Sequence, residues 1–188
     1  TSPGDIRFTD LNSDGVINSD DRTYIGNPSP KFIYALNNSF GYKDFDLGIF
    51  LQGVYGNKIF NANNIYQESM SVAENQTVRT LRRWSGEGSS HDMPRAIYGD
   101  PNQNNRVSNR YVEDGSYLRI KNITLGYTFP RQIIKPLKLS SLRLYAACQN
   151  AFTFTHYSGF DPEVGVNGVD YSVYPVTRTF SVGLNLNL

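Results

Sequence analysis

The segment that decides the fold is Thr179-Phe180-Ser181-Val182-Gly183-Leu184-Asn185-Leu186-Asn187-Leu188, in which polar and apolar residues alternate without a break. This period of two predicts a β-strand with one face in an apolar medium. Its polar face carries only small neutral groups and no charge. Such a strand fits lipid on one side and a hydrated lumen on the other. At this point the edge strand of a soluble β-sandwich is an equally good interpretation.

The composition of the whole chain favours an all-β fold. Its 188 residues fit one domain, and they include 13 Tyr and 11 Phe, residue types that are common in strands. Basic and acidic residues nearly cancel, at 18 against 17, so nothing indicates a nucleic-acid partner. No apolar run approaches the roughly 20 residues of a membrane helix. A membrane barrel strand is only half apolar and would give a weaker signal.

Near the N-terminus, residues 10–21 have the spacing of an EF-hand-type calcium loop, with a glycine at the sharp turn. No amphipathic helices flank the loop, which indicates a structural role. Asp stands at the last ligand position, where Glu is usual, and this predicts weaker affinity. A solvated turn is the alternative. The predicted Ca²⁺ ligands are Asp10, Asn12, Asp14, the carbonyl oxygen of Val16, Asn18 and Asp21.

Four more segments have the alternation of a strand. Tight turns are expected at Lys43 and Ile133, and long loops at 57–114 and 155–175, with a short helix inside 77–84. Three arginines in that stretch could form an anion site, but a solvated face is the more common arrangement. Including the final segment, the predicted strands are about 32–42, 45–56, 115–129, 140–154 and 176–188.

The third of these strands contains a conflict between charge and alternation. Arg119 and Lys121 share parity with the apolar residues that begin at Ile123. A basic side chain that faces lipid at mid-depth costs about 2–4 kcal/mol. A β-bulge near Lys121-Asn122 would exchange the faces and turn both cations inward, with Leu118 and Ile120 outward. The sequence therefore predicts that bulge.

Five strands of this length can span a membrane but cannot close a barrel, because the smallest such barrels have about eight. Open edges in hydrocarbon would leave backbone groups unpaired, so we expect further strands from another part of the protein. Short turns on one side and long loops on the other are typical of outer-membrane barrels. This arrangement predicts a periplasmic C-terminus, with residues 1–31 and both long loops outside the cell.

Several motifs occur together along the chain: Gly4-Asp5-Ile6 with the calcium loop, Asp21 to Phe32, Phe50 to Asn57, Leu118 to Pro130 and Gln149 to Thr153. In combination they resemble the C-terminal end of SusC/RagA-type TonB-dependent outer-membrane transporters. The resemblance implies a plugged barrel of about 22 strands, of which these are the last five. It also implies a plug and a TonB contact N-terminal to this chain, and a SusD-like surface lipoprotein over the extracellular loops. Leu188 departs from the aromatic residue that the family prefers at the last position.

The function that the resemblance implies is import of oligosaccharides or peptides across the outer membrane of a Gram-negative cell, without covalent chemistry. A secreted, calcium-stabilised β-sandwich binding module is the alternative. Catalysis is not expected, since no Ser-His-Asp arrangement is evident. Aromatic residues in the loops could bind sugars or the lipoprotein, or else form an interfacial belt. The candidate contacts are Tyr66, Trp84, Tyr98, Tyr111 and Tyr157.

Overall fold

The computed structural model describes residues 1–188. Its strands are β1 Phe32–Tyr42, β2 Phe45–Tyr55, β3 Lys58–Asn61, β4 Val112–Asp114, β5 Tyr117–Thr128, β6 Ser141–Thr155, β7 Val169–Asp170 and β8 Thr179–Asn187. Two short α-helices are α1 Asn63–Gln67 and α2 Arg131–Ile134. Short 3₁₀ helices lie at Ser19–Asp21, Val78–Arg82, Asn109–Tyr111 and Lys135–Leu137. None of the helices is long and apolar enough to cross a membrane.

The five long strands form one antiparallel sheet in the order β1-β2-β5-β6-β8. All five lie close to their predicted positions, although the last begins at Thr179, three residues later than expected. A tight turn joins β1 to β2, and a short connection that contains α2 and a 3₁₀ turn joins β5 to β6. The other connections are long and lie at the opposite end of the sheet.

Cross-strand pairing divides the sheet into two unlike faces. Ile49 lies opposite Ile123, which lies opposite Cys148 and then Phe180 on β8. We call this side the apolar face. A further row on it consists of Phe40, Leu47, Leu125, Ala146 and Val182. We call the other side the polar face. The row on it that lies between these two apolar rows consists of Ser39, Gly48, Thr124, Ala147 and Ser181.

The β-bulge predicted near Lys121-Asn122 is confirmed. Phe50 lies opposite Asn122 but Leu51 lies opposite Ile120, so Lys121 has no partner on β2. The register between β5 and β6 shifts at the same place. The extra residue brings Ile120 to the apolar face together with the aliphatic residues that follow, and it leaves both cations on the polar face.

Neither the apolar face nor the outer edges of the sheet are covered within this chain. Phe180, Leu184 and Leu186 are 74%, 57% and 50% exposed. β1 and β8 each have a strand neighbour on one side only. A β-sandwich would pack a second sheet over these aliphatic groups, and this chain supplies none. The exposed sheet therefore disfavours the soluble β-sandwich.

Most of the buried residues lie in the two long loops, which also contain short strands that the sequence did not predict. β3 pairs antiparallel with β4 and parallel with β7, so that residues of both loops form one small sheet. Ile59 of β3 is fully buried, and Tyr111 is 1% exposed and packs edge-on against the Phe60 ring. We call this small sheet with its surrounding loops the loop layer.

Candidate binding surface in the loop layer

The loop layer is joined to the large sheet through Arg119, whose side chain is 1% exposed on the polar face. Its Nε donates to Thr153 Oγ1 at 2.8 Å and its Nη2 donates to Asp161 Oδ1 at 2.6 Å. Its Nη1 donates to Glu163 Oε2 at 2.8 Å. One side chain of β5 thus connects a neighbouring strand to the loop before β8. This buried guanidinium fixes the position of that loop.

Asp161 is held as the ionised partner of Arg119. Burial alone would raise the pKa of the Asp161 carboxyl. The hydrogen bonds from the backbone N–H of Glu163 and from the Arg119 guanidinium outweigh this effect, so the pKa lies below its usual value. A third donor, the backbone N–H of Val176, binds Asp161 Oδ2 at 3.1 Å. The carboxylate therefore fixes the start and the end of the loop around one cation.

A second buried carboxylate, Glu68, organises the other long loop. Arg79 Nη1 lies 2.7 Å from its Oε1 and Arg110 Nη2 lies 3.0 Å from its Oε2. Burial raises the pKa of Glu68 in spite of both arginines. Arg82 is paired with Asp92 at 3.1 Å. Two of the three arginines considered above as an anion site therefore already have carboxylate partners.

The two long loops are also connected through Glu113. Its Oε1 accepts hydrogen bonds from Asn61 Nδ2 at 3.1 Å and Ser158 Oγ at 2.7 Å. Its Oε2 accepts one from the backbone N–H of Ser158 at 2.8 Å. Asn61 lies on β3 and Glu113 on β4, so these bonds hold the second loop against the small sheet.

The prediction that Tyr111 and Tyr157 are surface contacts is wrong, because both side chains are buried. They are 1% and 6% exposed. Burial raises the pKa of Tyr157, and its hydroxyl donates to Asp170 Oδ2 at 2.6 Å. The Tyr111 hydroxyl donates to Asn105 Oδ1 at 3.3 Å. A tyrosine can bury its ring if its hydroxyl finds a partner, and both residues stabilise the loop layer in this way.

The other three predicted contact residues remain accessible to different degrees. Tyr66 and Tyr98 are 68% and 89% exposed. Trp84 is half-buried, and a Cβ at Gly4 would collide with its ring. The N-terminal segment therefore lies against the indole. Of the five predicted contact residues, Tyr66 and Tyr98 have the most exposed rings.

The predicted calcium loop folds as a series of turns around two carboxylates. Asp10 Oδ1 accepts the backbone N–H of Ser13 at 2.7 Å, and its Oδ2 accepts that of Gly15 at 2.8 Å. Asp21 accepts the backbone N–H groups of Asn18 at 2.8 Å and Leu11 at 2.7 Å. These hydrogen bonds lower the pKa of the Asp21 carboxyl, and the bond from Asn18 has the largest effect. The first and last predicted ligands thus close the loop.

The donor types of this loop fit Ca²⁺, but their positions do not yet form a cage. The structure contains no cluster of three or more acidic, His or Cys side chains that could hold a metal ion. Asn12 Nδ2 donates to Asp14 Oδ2 at 2.9 Å, so two predicted ligands bind each other. Binding of a cation would require these side chains to turn towards one point.

Two open clefts border the N-terminal segment. One of about 720 Å³ lies between the calcium-type loop and residues 103–109, and its wall includes Ile17, Arg22 and Arg106. The Arg106 guanidinium lies 4.5 Å from the centre of the Phe8 ring. The other cleft, of about 590 Å³, lies beside Trp84. Both clefts combine aromatic, cationic and amide groups, which can bind polar ligands by stacking and hydrogen bonding.

An ion pair on the polar face was missed by sequence reasoning. Arg143 Nε donates to Asp46 Oδ1 at 2.9 Å, across the intervening strand β5. Gly126 lies between them, and a Cβ there would collide with both side chains. The two charged residues are 97 positions apart, so no local pattern could pair them. The pair shows that the polar face accepts charge.

Comparison with known proteins identifies the protein family to which this chain belongs. No family model matches the chain. The TonB-dependent receptor P3 of Formosa agariphila is 38% identical over 197 residues, which cover 99% of this chain and 19% of that receptor. The TonB-dependent receptor SusC of Bacteroides thetaiotaomicron is 32% identical, with 98% and 18% covered. This chain belongs to the SusC/RagA-type TonB-dependent receptors. It spans about a fifth of the length of the curated relatives that it matches.

The fold agrees with this assignment. The structure of the RagAB peptide transporter matches 98% of this chain and 20% of its own chain, with a TM-score of 0.81 and 23% identity. The same importer in an open-open state gives a TM-score of 0.77 over 92% of this chain. These matches cover the large sheet and the loop layer together. The chain therefore has the fold of a barrel fragment of a SusC/RagA-type receptor, as the sequence resemblance predicted.

Proposed function

We propose that this chain forms part of the barrel wall of a TonB-dependent importer in the outer membrane of a Gram-negative cell. The SusC/RagA-type relatives support this proposal, and so does the uncovered apolar face. Lipid acyl chains can cover aliphatic groups that no part of this chain covers. A receptor of this kind binds and moves its cargo without covalent chemistry.

The observation that carries the proposal is the pair of aromatic girdles on the apolar face. Phe32 stacks on Tyr55 at 5.2 Å at one end, and Phe45 packs on Tyr127 at 4.7 Å at the other. Between them β1 runs for 11 residues. Its 11 residues make ten steps of about 3.4 Å, which at a tilt near 40° cover roughly 26 Å of depth. The apolar band of an outer-membrane barrel is about 25 Å tall and has aromatic residues at both borders.

The open edges of β1 and β8 require neighbours. Each unpaired backbone group in hydrocarbon would cost several kcal/mol, so we propose that other strands of the receptor complete a barrel of about 22 strands. The plug and the TonB contact would then belong to the rest of the receptor. We place the tight connections in the periplasm and the loop layer outside the cell, because outer-membrane barrels have this asymmetry.

For the cargo we propose oligosaccharides or peptides, and for the partner a SusD-like surface lipoprotein over the loop layer. The peptide alternative is favoured by the similarity to RagAB, a peptide transporter. Of the five predicted contact residues, Tyr66 and Tyr98 are well exposed and could contact the cargo or the lipoprotein. Their flat rings can stack on a sugar or pack against apolar side chains.

Uptake into whole cells tests the importer proposal. Cells that contain the receptor should accumulate a labelled peptide mixture or a labelled oligosaccharide mixture, and cells without it should not. Accumulation should stop when TonB is removed, although binding at the cell surface persists. Uptake that does not depend on the receptor or on TonB would contradict the proposal.

We also propose that residues 10–21 bind Ca²⁺ as a structural ion outside the cell. The oxygen-rich ligand set and the closed loop geometry support this. Calcium should slow proteolytic cleavage of this loop in the receptor, and Asp10→Asn should abolish the protection. Asp20→Asn, which changes the same charge outside the predicted ligand set, should retain it. Equal cleavage with calcium and with a chelator would contradict calcium binding.

A further inference from the structure

The polar face carries two cations at the bulge that share one carboxylate. Glu163 Oε2 lies 2.8 Å from Arg119 Nη1 and 2.9 Å from Lys121 Nζ. Glu163 Oε1 also accepts a hydrogen bond from Lys121 at 3.3 Å. The Glu163 side chain is 37% exposed and that of Lys121 is 22% exposed. The shared carboxylate is therefore in contact with the open space on this side of the sheet.

The two carboxylates around Arg119 differ in how firmly they are held. Asp161 is 4% exposed and its oxygens also bind two backbone N–H groups, at Glu163 and Val176. The Glu163 carboxylate accepts hydrogen bonds from the two cations and from no backbone N–H. Rotation of the Glu163 side chain would thus free Lys121 Nζ and the Nη1 of Arg119. The loop would stay in place, because Asp161 still binds the Nη2 of Arg119.

We infer that Arg119 and Lys121 form a binding subsite for a carboxylate of the imported molecule, and that Glu163 occupies this subsite in the absence of cargo. The inference rests on the proposed importer function, because the cargo must pass along the polar face. The Arg119 guanidinium and the Lys121 ammonium group both donate to the same carboxylate oxygen. Such charge-assisted hydrogen bonds are strong. The cargo carboxylate would belong to a peptide or to an acidic sugar.

Replacement of one carboxylate by another leaves the charge balance unchanged. A neutral ligand at this place would displace Glu163 without replacing its charge, and Lys121 would lose its only ion-pair partner. The Tyr117 ring, 5.4 Å from the Arg119 guanidinium, and Thr153 keep Arg119 in place during the exchange. The subsite therefore selects for a negative group on the cargo.

The test measures affinity of the purified receptor that contains this chain, in detergent, for two matched ligand pairs. One pair is a mixture of octapeptides without acidic residues and the same mixture with amidated C-termini. The other pair is an oligogalacturonide and its methyl ester. The preference is the ratio of the affinity for the carboxylate form to the affinity for the neutral form. Lys121→Met should reduce this ratio to nearly one. Glu163→Gln removes the internal competitor and should increase that preference about tenfold, with no change for the neutral form.

Two substitutions make the same charge changes elsewhere. Lys135→Met and Glu87→Gln alter exposed residues far from the subsite and should leave both ratios unchanged. The heat-resistant electrophoretic mobility of the barrel shows that each variant is folded. The pair whose ratio responds identifies the carboxylate as that of a peptide or of a sugar.

Three results would overturn the inference. If the affinity ratio is the same in Lys121→Met, Glu163→Gln and the parent, Glu163 only stabilises the loop and does not occupy a binding subsite. Equal binding of all four ligands by the parent receptor would remove the subsite but leave the importer function intact. Binding of none of the four would remove the inference together with the cargo classes proposed above.

Discussion

The most informative substitution pair is Ile123→Arg and Thr124→Arg, at adjacent positions on opposite faces of β5. Ile123 lies in the row of Ile49 and Phe180 on the apolar face, near the middle of the band between the two aromatic girdles. An arginine at mid-depth on the lipid side of a barrel costs about 2–4 kcal/mol. The folding equilibrium of the receptor in lipid vesicles should therefore fall by roughly 30- to 700-fold.

Thr124→Arg places the same charge one residue further, on the polar face, in a row of small residues with Gly48 and Ala147. Its cost should be below about 1 kcal/mol, because a hydrated lumen solvates the guanidinium. The assay is a urea titration in vesicles, followed by the difference in electrophoretic mobility between the folded and the unfolded barrel. Equal costs for the two variants, or a larger cost for Thr124→Arg, would refute the assignment of the two faces.

Three further predictions concern the loop layer. Arg119→Leu leaves two carboxylates without their buried cation, so the loop before β8 should open to protease at a cost of about 3–5 kcal/mol, with the barrel still folded. Ion pairing with Arg95 lowers the pKa of Asp5 to about 2 from 3.8. The contribution of this ion pair to the docking of the N-terminal segment should accordingly be fully present above about pH 4 and be lost as the pH falls to about 2, which hydrogen exchange can follow. Tyr157→Phe should destabilise the loop layer by about 1–3 kcal/mol in hydrogen exchange, since a buried carboxylate loses its donor.

The large sheet was predictable because its signals are local. Alternation in each strand gave the positions of the strands and their faces. The bulge at Lys121 followed from two charges on the wrong parity, since only an extra residue could keep Arg119 and Ile123 on opposite faces. The turn at Lys43, which has a positive φ of 52°, was visible as a short gap between two alternating segments.

The loop layer was not predictable because its contacts are distant in sequence. The parallel pairing of Phe60 with Val169 joins two short strands that show no alternation of their own. Tyr111 and Tyr157 are buried by partners from other loops, whereas Tyr66 and Tyr98, which have the same residue type, stay exposed. Residue type alone could not separate these two pairs, because burial of a tyrosine depends on whether a partner reaches its hydroxyl.

The central claim is that this sheet separates lipid from a hydrated lumen, and spin labels along β8 in the native receptor test it most directly. Labels placed singly at 180, 182 and 184 should be relaxed by oxygen dissolved in the bilayer. Labels at 181, 183 and 185 should be relaxed by a water-soluble nickel chelate. A signal without this alternation, or with the opposite phase, would contradict the account.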